Sequence, residues 1–288
     1  MQTEKVIAFI TNWLTEYLEK SPAKGFVVGV SGGVDSAVVS TLCARTGKPV
    51  LVLEMPIRQS SKEVQRSSSH IKWLKSTFAN VEGGEISLTN IFEAFEQTVQ
   101  ASEFNKTNNS SEIAYANTRS RLRMVRKKKR IFLSILLFFL FKVNLYYFAS
   151  INNYLVAGTG NKVEDFGVGF YTKYGDGGVD LSPIGDLLKS QVRAVAAALG
   201  ISKEIVTAAP TDGLYGDTRT DEDQIGASYD ELEWAMGYVE LDPSKQDQTK
   251  LSDREKTVLQ IYHQRHAANL HKMVEIPVCR LPTELKQK

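Results

Sequence analysis

The sequence predicts an α/β protein built on a doubly wound parallel sheet with helices on both sides. Three short apolar runs carry that prediction, at residues 26–30, 50–54 and 155–157. Each is rich in β-branched or other apolar residues, as strands buried on both faces are. Helical periodicity separates the runs. Strands alternating with helices imply parallel pairing, with ligands gathered at the carboxyl ends of the strands.

Taken in order, residues 6–18 place Ile7, Ile10, Trp13, Leu14 and Leu18 on one helical face. Gly25 admits the first strand, Ser31-Gly32-Gly33 breaks it, and residues 34–44 read as a helix. Pro56 closes the second strand. Helices follow at 61–77 and 90–100, then a polar Asn/Ser-rich loop at 101–112. The third strand ends in Gly158-Thr159-Gly160. One domain over residues 1–288 is expected, interrupted by an atypical segment at 125–142.

Bulk properties exclude several classes. Hydrophobic content of 42% and charged content of 24% are ordinary for a globular protein. The net charge of +2 misleads, because Arg126, Lys127, Lys128, Lys129, Arg130 and Lys142 crowd one segment. Without them 35 basic residues become 29 against 33 acidic ones, a net charge of −4. A nucleic-acid footprint is therefore absent. Cys43 and Cys279 match no CxxC or Cys/His spacing and read as unpaired thiols of a reducing compartment. With no basic-then-apolar leader in residues 1–20, a cytoplasmic protein is expected. His263 and His266 share a helix face but lack a further ligand nearby, so a solvated helix is favoured over a metal site.

The strongest chemical signal is Ser31-Gly32-Gly33-Val34-Asp35-Ser36, lying between the first strand and its helix. Two glycines let the backbone turn sharply and bring bare N–H groups to an anion, and the helix adds its positive end. Ser31 and Ser36 can donate to phosphate oxygens. Asp35 cannot bind phosphate directly, and makes sense there as a ligand of Mg²⁺. The loop lacks the Gly-Lys-Ser/Thr ending of a Walker A sequence.

This SGGxDS loop resembles the pyrophosphate-binding loop of the ATP pyrophosphatases. A second block narrows the resemblance: Gly158-Thr159-Gly160-Asn161-Lys162-Val163-Glu164-Asp165, then TKYGDGGVDLSP from Thr172 to Pro183, then Lys189. Together with Asn117 to Met124, Ala209-Pro210-Thr211-Asp212 and His271-Lys272, it resembles the ammonia-dependent NAD synthetases over nearly the whole chain. The resemblance implies the Rossmann-like, adenine nucleotide α-hydrolase type of fold. It implies ATP at Gly29, Val30, Ser31, Gly32, Gly33, Val34, Asp35, Ser36, Thr159, Lys189 and Thr211. Mg²⁺ would be held by Asp35 and Glu164, with Asp35 and Lys189 as the catalytic pair. Deamido-NAD would meet Lys173, Asp180, His271, Lys272 and one of Arg121 and Arg123.

The implied reaction forms an acyl-adenylate and pyrophosphate from deamido-NAD and ATP. Ammonia then displaces AMP, with no protein nucleophile. Cys43 lies too far down its helix to serve as one. A homodimer is implied, and neither nucleic acid nor a membrane is an expected partner. The acidic segment 212–224 is a candidate lid over ATP. Two other functions stay open: a tRNA-modifying ATP pyrophosphatase, and an inactive, membrane-tethered nucleotide-binding protein.

The second alternative arises from residues 125–142, VRKKKRIFLSILLFFLFK. They split what in the resembling family is one continuous helix, and deleting them restores RLRMVNLYYFAS. As a membrane anchor the apolar part is short, eleven residues at 131–141 against the ~20 that span a bilayer. As a surface-binding arm it lacks a polar face. The favoured reading is a retained intron translated in frame. Val-Arg can be encoded GUAAGA, the Phe/Leu/Ile run demands U-rich codons, and Lys142 can end in AG. As helix the segment would add about 27 Å and carry Arg121 and Arg123 away from Thr159. An exposed loop of Phe and Leu would instead invite aggregation. The expectation is that the full chain folds poorly or is inactive and the deleted chain is active.

Overall fold

The computed structural model describes residues 1–102, 111–124, 145–211 and 219–286. Four parallel strands form its sheet: β1 (Gly25–Gly29), β2 (Val50–Glu54), β3 (Val81–Glu85) and β4 (Tyr154–Val156), in the order β3-β2-β1-β4. The helices are α1 (Thr3–Glu19), α2 (Val34–Arg45), α3 (Ser61–Thr77), α4 (Thr89–Gln100), α5 (Ser111–Leu122) and α6 (Leu145–Asn152). They continue with α7 (Lys189–Ala198), α8 (Lys203–Val206), α9 (Asp221–Ile225), α10 (Tyr229–Glu240) and α11 (Asp253–Met273).

Central β1 pairs Phe26 with Val50 on one side and with Leu155 on the other. Alternation along β1 divides the core, because successive side chains of a strand point to opposite faces. Phe26 and Val28 join Leu14, Leu42 and Val195 in the layer of α1, α2 and α7. Val27 joins Phe92, Leu145 and Ala149 beneath α4 and α6. A third cluster, around Tyr229, Leu232, Val258 and Tyr262, packs α10 against α11.

Three expectations need correction. Strand β3 is absent from the sequence reading, since its residues VEGGE offer no apolar run and only Val81 is buried. Backbone pairing to β2 makes it a strand, and a Cβ on Gly83 would lie 2.1 Å from the Val52 carbonyl oxygen. Trp13, assigned to the buried face of α1, is 37% exposed, whereas Ile7, Ile10, Leu14 and Leu18 are buried. The loop expected at 101–112 ends early, because α5 already begins at Ser111; residues 103–110 lie outside the described part.

Residues 125–144 also lie outside it, but their two flanks are informative. The Leu145 amide donates to the Arg123 carbonyl at 3.1 Å. With the 18 residues of 125–142 set aside, Leu145 is the fourth residue after Arg123, which is the α-helical bonding interval. Met124 and Leu145 are buried together, 6% and 5% exposed. Helices α5 and α6 thus meet as two halves of one helix, and the feared displacement of Arg121 and Arg123 does not occur. Among the described residues no helix is long and apolar enough to cross a membrane.

His70 of α3 is 3% exposed and sits 3.0 Å from the Ser40 hydroxyl of α2, tying the two helices. Burial pushes its imidazole down to about 4. Its unfolded value is ~6.5, so the stability it contributes is complete above that pH and lost as pH falls towards 4. Denaturant unfolding should show a loss of up to ~1.4 kcal/mol per pH unit in that window. His70→Leu should flatten the slope, and an unchanged slope would place the acid sensitivity elsewhere.

Candidate active site

The cleft opens at the carboxyl end of β1. Beyond Gly29 the Val30 amide still donates to the Leu53 carbonyl, and then the chain turns. Gly32 adopts φ +83°, and a Cβ there would lie 2.7 Å from the Glu63 carbonyl oxygen. Gly33 precedes α2 in extended conformation. Two serines close the loop. Ser36 Oγ donates to the Gly33 carbonyl (3.0 Å), accepts from the Ser31 amide (3.2 Å) and lies 3.2 Å from Ser31 Oγ. Val34, Asp35 and Ser36 then lead the first turn of α2 into the cleft.

Lys189, at the start of α7, is 4% exposed and joins distant parts of the chain. Its Nζ donates to Asp35 Oδ2 at 2.6 Å and to Glu164 Oε1 at 3.0 Å. Burial opposes charge on this amine, but the Asp35 and Glu164 carboxylates outweigh it and hold the ammonium above its ordinary range. Glu164 lies in a π-helical turn, Val163–Val168, a rare geometry frequent at functional sites. Fully buried Asn161 fixes that turn. Its side-chain oxygen accepts from the Val163 and Glu164 amides, and its Nδ2 donates to Asp35 Oδ1 at 3.1 Å.

Tyr229 completes the cluster. Its hydroxyl donates to Glu164 and reaches Asp221 Oδ2 at 3.3 Å, while its ring centroid lies 4.7 Å from Lys189 Nζ. Burial first, then the Glu164 and Asp221 carboxylates, push its phenol far up, so it stays a donor.

Thr159 and Thr211 line the same cleft as the loop, Glu164 and Lys189. Thr211 Oγ1 donates to Glu63 at 3.0 Å. The expected dinucleotide residues form a separate patch. Lys173 Nζ donates to the His271 carbonyl at 2.5 Å, and Lys272 Nζ to the Gly169 and Tyr171 carbonyls at 2.7 and 2.8 Å. Arg121 Nε reaches the Lys173 carbonyl at 3.3 Å, whereas Arg123 lines the cleft, its Nε 3.2 Å from the Met55 carbonyl. The arginine pair is thus divided between the two regions. Asp180 stands between β4 and α6, accepting from the Val156 amide (2.8 Å) and the Tyr146 hydroxyl (3.0 Å).

Cys43 is fully buried, and burial pushes its thiol far up; Cys279 is exposed, and both are free. His266 departs from the solvated role expected of it, with Nδ1 2.7 Å from the Gly167 carbonyl oxygen and its ring stacked on Tyr262. Of the candidate lid, residues 212–218 lie outside the described part, and α9 begins at Asp221, capped by Thr220.

The family model described as NAD synthase matches residues 6–130 and 141–275, breaking off inside the atypical segment. This chain belongs to the NAD synthase family. It is 36% identical to the NH(3)-dependent NAD(+) synthetase of Archaeoglobus fulgidus, over 86% of this chain and 89% of the relative. The Carboxydothermus hydrogenoformans NH(3)-dependent NAD(+) synthetase is 35% identical over 81% and 83%. Among solved structures, the NMN synthetase of Francisella tularensis superposes with a TM-score of 0.75 at 28% identity, covering 98% of this chain and 99% of that one. The Campylobacter jejuni NH3-dependent NAD synthetase, in complex with the nitrate ion, gives 0.71 at 26%, covering 97% and 100%. These relatives favour neither the tRNA-modifying nor the membrane-tethered alternative. Within the NAD synthase family frame, the sequence reading missed Tyr229. Its place in the apolar spacing of α10 gave no sign of a polar role.

Proposed function

We propose that this chain, acting as one domain, amidates the nicotinate carboxylate of deamido-NAD to give NAD, consuming ATP and ammonia and releasing AMP and pyrophosphate. The observation that carries the reading is the meeting of the Ser31–Ser36 loop, Thr159, Glu164, Lys189 and Thr211 in one cleft. The bare amides after β1 and the helix end behind them suit the polyphosphate of ATP. The nicotinate carboxylate attacks the α-phosphorus, and pyrophosphate departs over the glycine loop. Lys189 stands ready to stabilise the charge that develops on the leaving oxygens. Ammonia then attacks the activated carbonyl and AMP leaves.

Mg²⁺ fits the donor set. Asp35 and Glu164 both reach the Lys189 ammonium, so two carboxylates face one point of the cleft and offer the hard oxygen ligands Mg²⁺ prefers. Mg²⁺ is commonly held by one or two carboxylates with phosphates and water completing its shell. When bound it neutralises phosphate charge. Arg121, Lys173, His271, Lys272 and Asp180 are assigned to deamido-NAD, with Arg121 rather than Arg123 as the contacting arginine. Its bond to the Lys173 segment supports that choice. A homodimer is part of the proposal, supported by Ile113, Tyr147 and Ile151 standing exposed on α5 and α6. A reducing cytoplasm suits the two unpaired thiols.

The test is an assay with ATP, Mg²⁺ and ammonia, offering deamido-NAD and nicotinate mononucleotide side by side. AMP, pyrophosphate and NAD in equal amounts are expected from deamido-NAD. ADP with orthophosphate, or amidation of the mononucleotide alone, would overturn the reading.

A further inference from the structure

The glycine loop carries no basic side chain, unlike a loop ending in Gly-Lys-Ser/Thr. Lys189, the cation expected from the resemblance, is already matched by Asp35 and Glu164. A departing pyrophosphate is strongly anionic, and with Lys189 shared between two carboxylates a further cation beside the loop would add to what Mg²⁺ and the bare amides supply. The cleft contains a further cation that the sequence reading did not single out. Arg66 of α3 lines it, half-buried, and its Nε donates to the Gly32 carbonyl at 3.1 Å. Among the described residues Arg66 makes no ion pair and no other polar contact.

Its surroundings hold it firmly. The next two residues, Ser67 and Ser68, both donate to the buried carboxylate of Glu54 at the carboxyl end of β2, the second bond at 2.7 Å. A capping box, Ser60 with Glu63, fixes the start of the same helix. On the loop side, Gly32 lies so close to this turn that a Cβ would meet the Ser67 amide nitrogen at 3.2 Å and Arg66 Cβ at 3.3 Å. A guanidinium presents five donors in a rigid fork. With Nε spent on Gly32, the two terminal nitrogens remain for an anion above the loop.

We propose that Arg66 binds the diphosphate portion of ATP and stabilises it as it leaves, a role that rests on the ligase reading given above. The hydrogen bond to Gly32 sets the guanidinium at the edge of the loop before substrate arrives. Charge aimed in advance at the leaving group costs no reorganisation during reaction.

Two variants of the full chain separate charge from structure. Arg66→Gln keeps an N–H able to reach Gly32 and loses the charge; Arg66→Lys keeps the charge and loses the fork. Pyrophosphate binding is measured by calorimetry with Mg²⁺, alongside steady-state constants and thermal midpoints. Arg66→Gln should bind pyrophosphate at least about tenfold more weakly and lower kcat/KM for ATP roughly 100-fold, the scale of a lost transition-state donor. Its KM for deamido-NAD and its thermal midpoint should stay put, and Arg66→Lys should lose less on every phosphate readout. Wild-type pyrophosphate binding in Arg66→Gln, or a Gln variant better than Lys, would overturn the inference and leave the ligase reading intact. Failure of the wild-type chain to form AMP and pyrophosphate would instead remove the reading on which the inference rests.

Discussion

Lys189→Met is expected to cut turnover at least about 1,000-fold, the upper range for one electrostatic group at a reacting centre. The nearly buried ammonium bonds Asp35 and Glu164 and lies over the Tyr229 ring. Removing it leaves two carboxylates facing one another, and breaking a buried pair costs about 3–5 kcal/mol. The two losses should separate when Mg²⁺ is added. A divalent ion can take the place between Asp35 and Glu164 and restore much of the thermal midpoint. It cannot restore the lysine's contact with the leaving phosphates, so turnover stays low. Calorimetric melting and AMP release, each with and without MgCl₂, check both halves. A variant that releases AMP at the wild-type rate would remove Lys189 from the chemistry.

Deleting residues 125–142 should raise both soluble yield and resistance to denaturant. The Leu145–Arg123 hydrogen bond then becomes an ordinary turn of one continuous helix. Closing a loop of this length costs roughly 2–3 kcal/mol of chain entropy, which the deletion returns. It also removes an apolar run able to nucleate aggregation. Read from sequence alone, the segment threatened folding or activity. The meeting of Arg123, Met124 and Leu145 at the cleft narrows the expected damage to folding yield. Activity per folded molecule should agree within a few-fold between the two chains. Loss of activity on deletion would show that the segment belongs to the working enzyme. Sequencing the message decides whether the segment is an intron.

Much of the cleft was legible in the sequence because backbone geometry left marks there. The phosphate loop needs glycines between an apolar strand and a helix, and Ser31–Ser36 shows them where they are required. Glu164 and Lys189 came from a motif rather than from periodicity, and the fold brings both to Asp35. What escaped notice was held by tertiary contacts. Strand β3 exists through pairing with β2, not through its own composition. Tyr229 shares its helix face with Leu232 and Met236, so its spacing reads as core while its hydroxyl works in the charge cluster. Arg66 looks like any helix-surface arginine until Gly32 is found against it.

The junction between Arg123 and Leu145 has a consequence for how the protein is divided. Among the described residues the two ends meet through packing and an amide-to-carbonyl hydrogen bond rather than through adjacent backbone. Asp35 and the glycine loop lie before that point, and Glu164, Lys189 and Tyr229 lie after it. A chain cut at the junction would yield two fragments, each carrying half of the ionic centre. Neither fragment can assemble that centre alone, so reassociation of the pieces and recovery of catalysis become the same event.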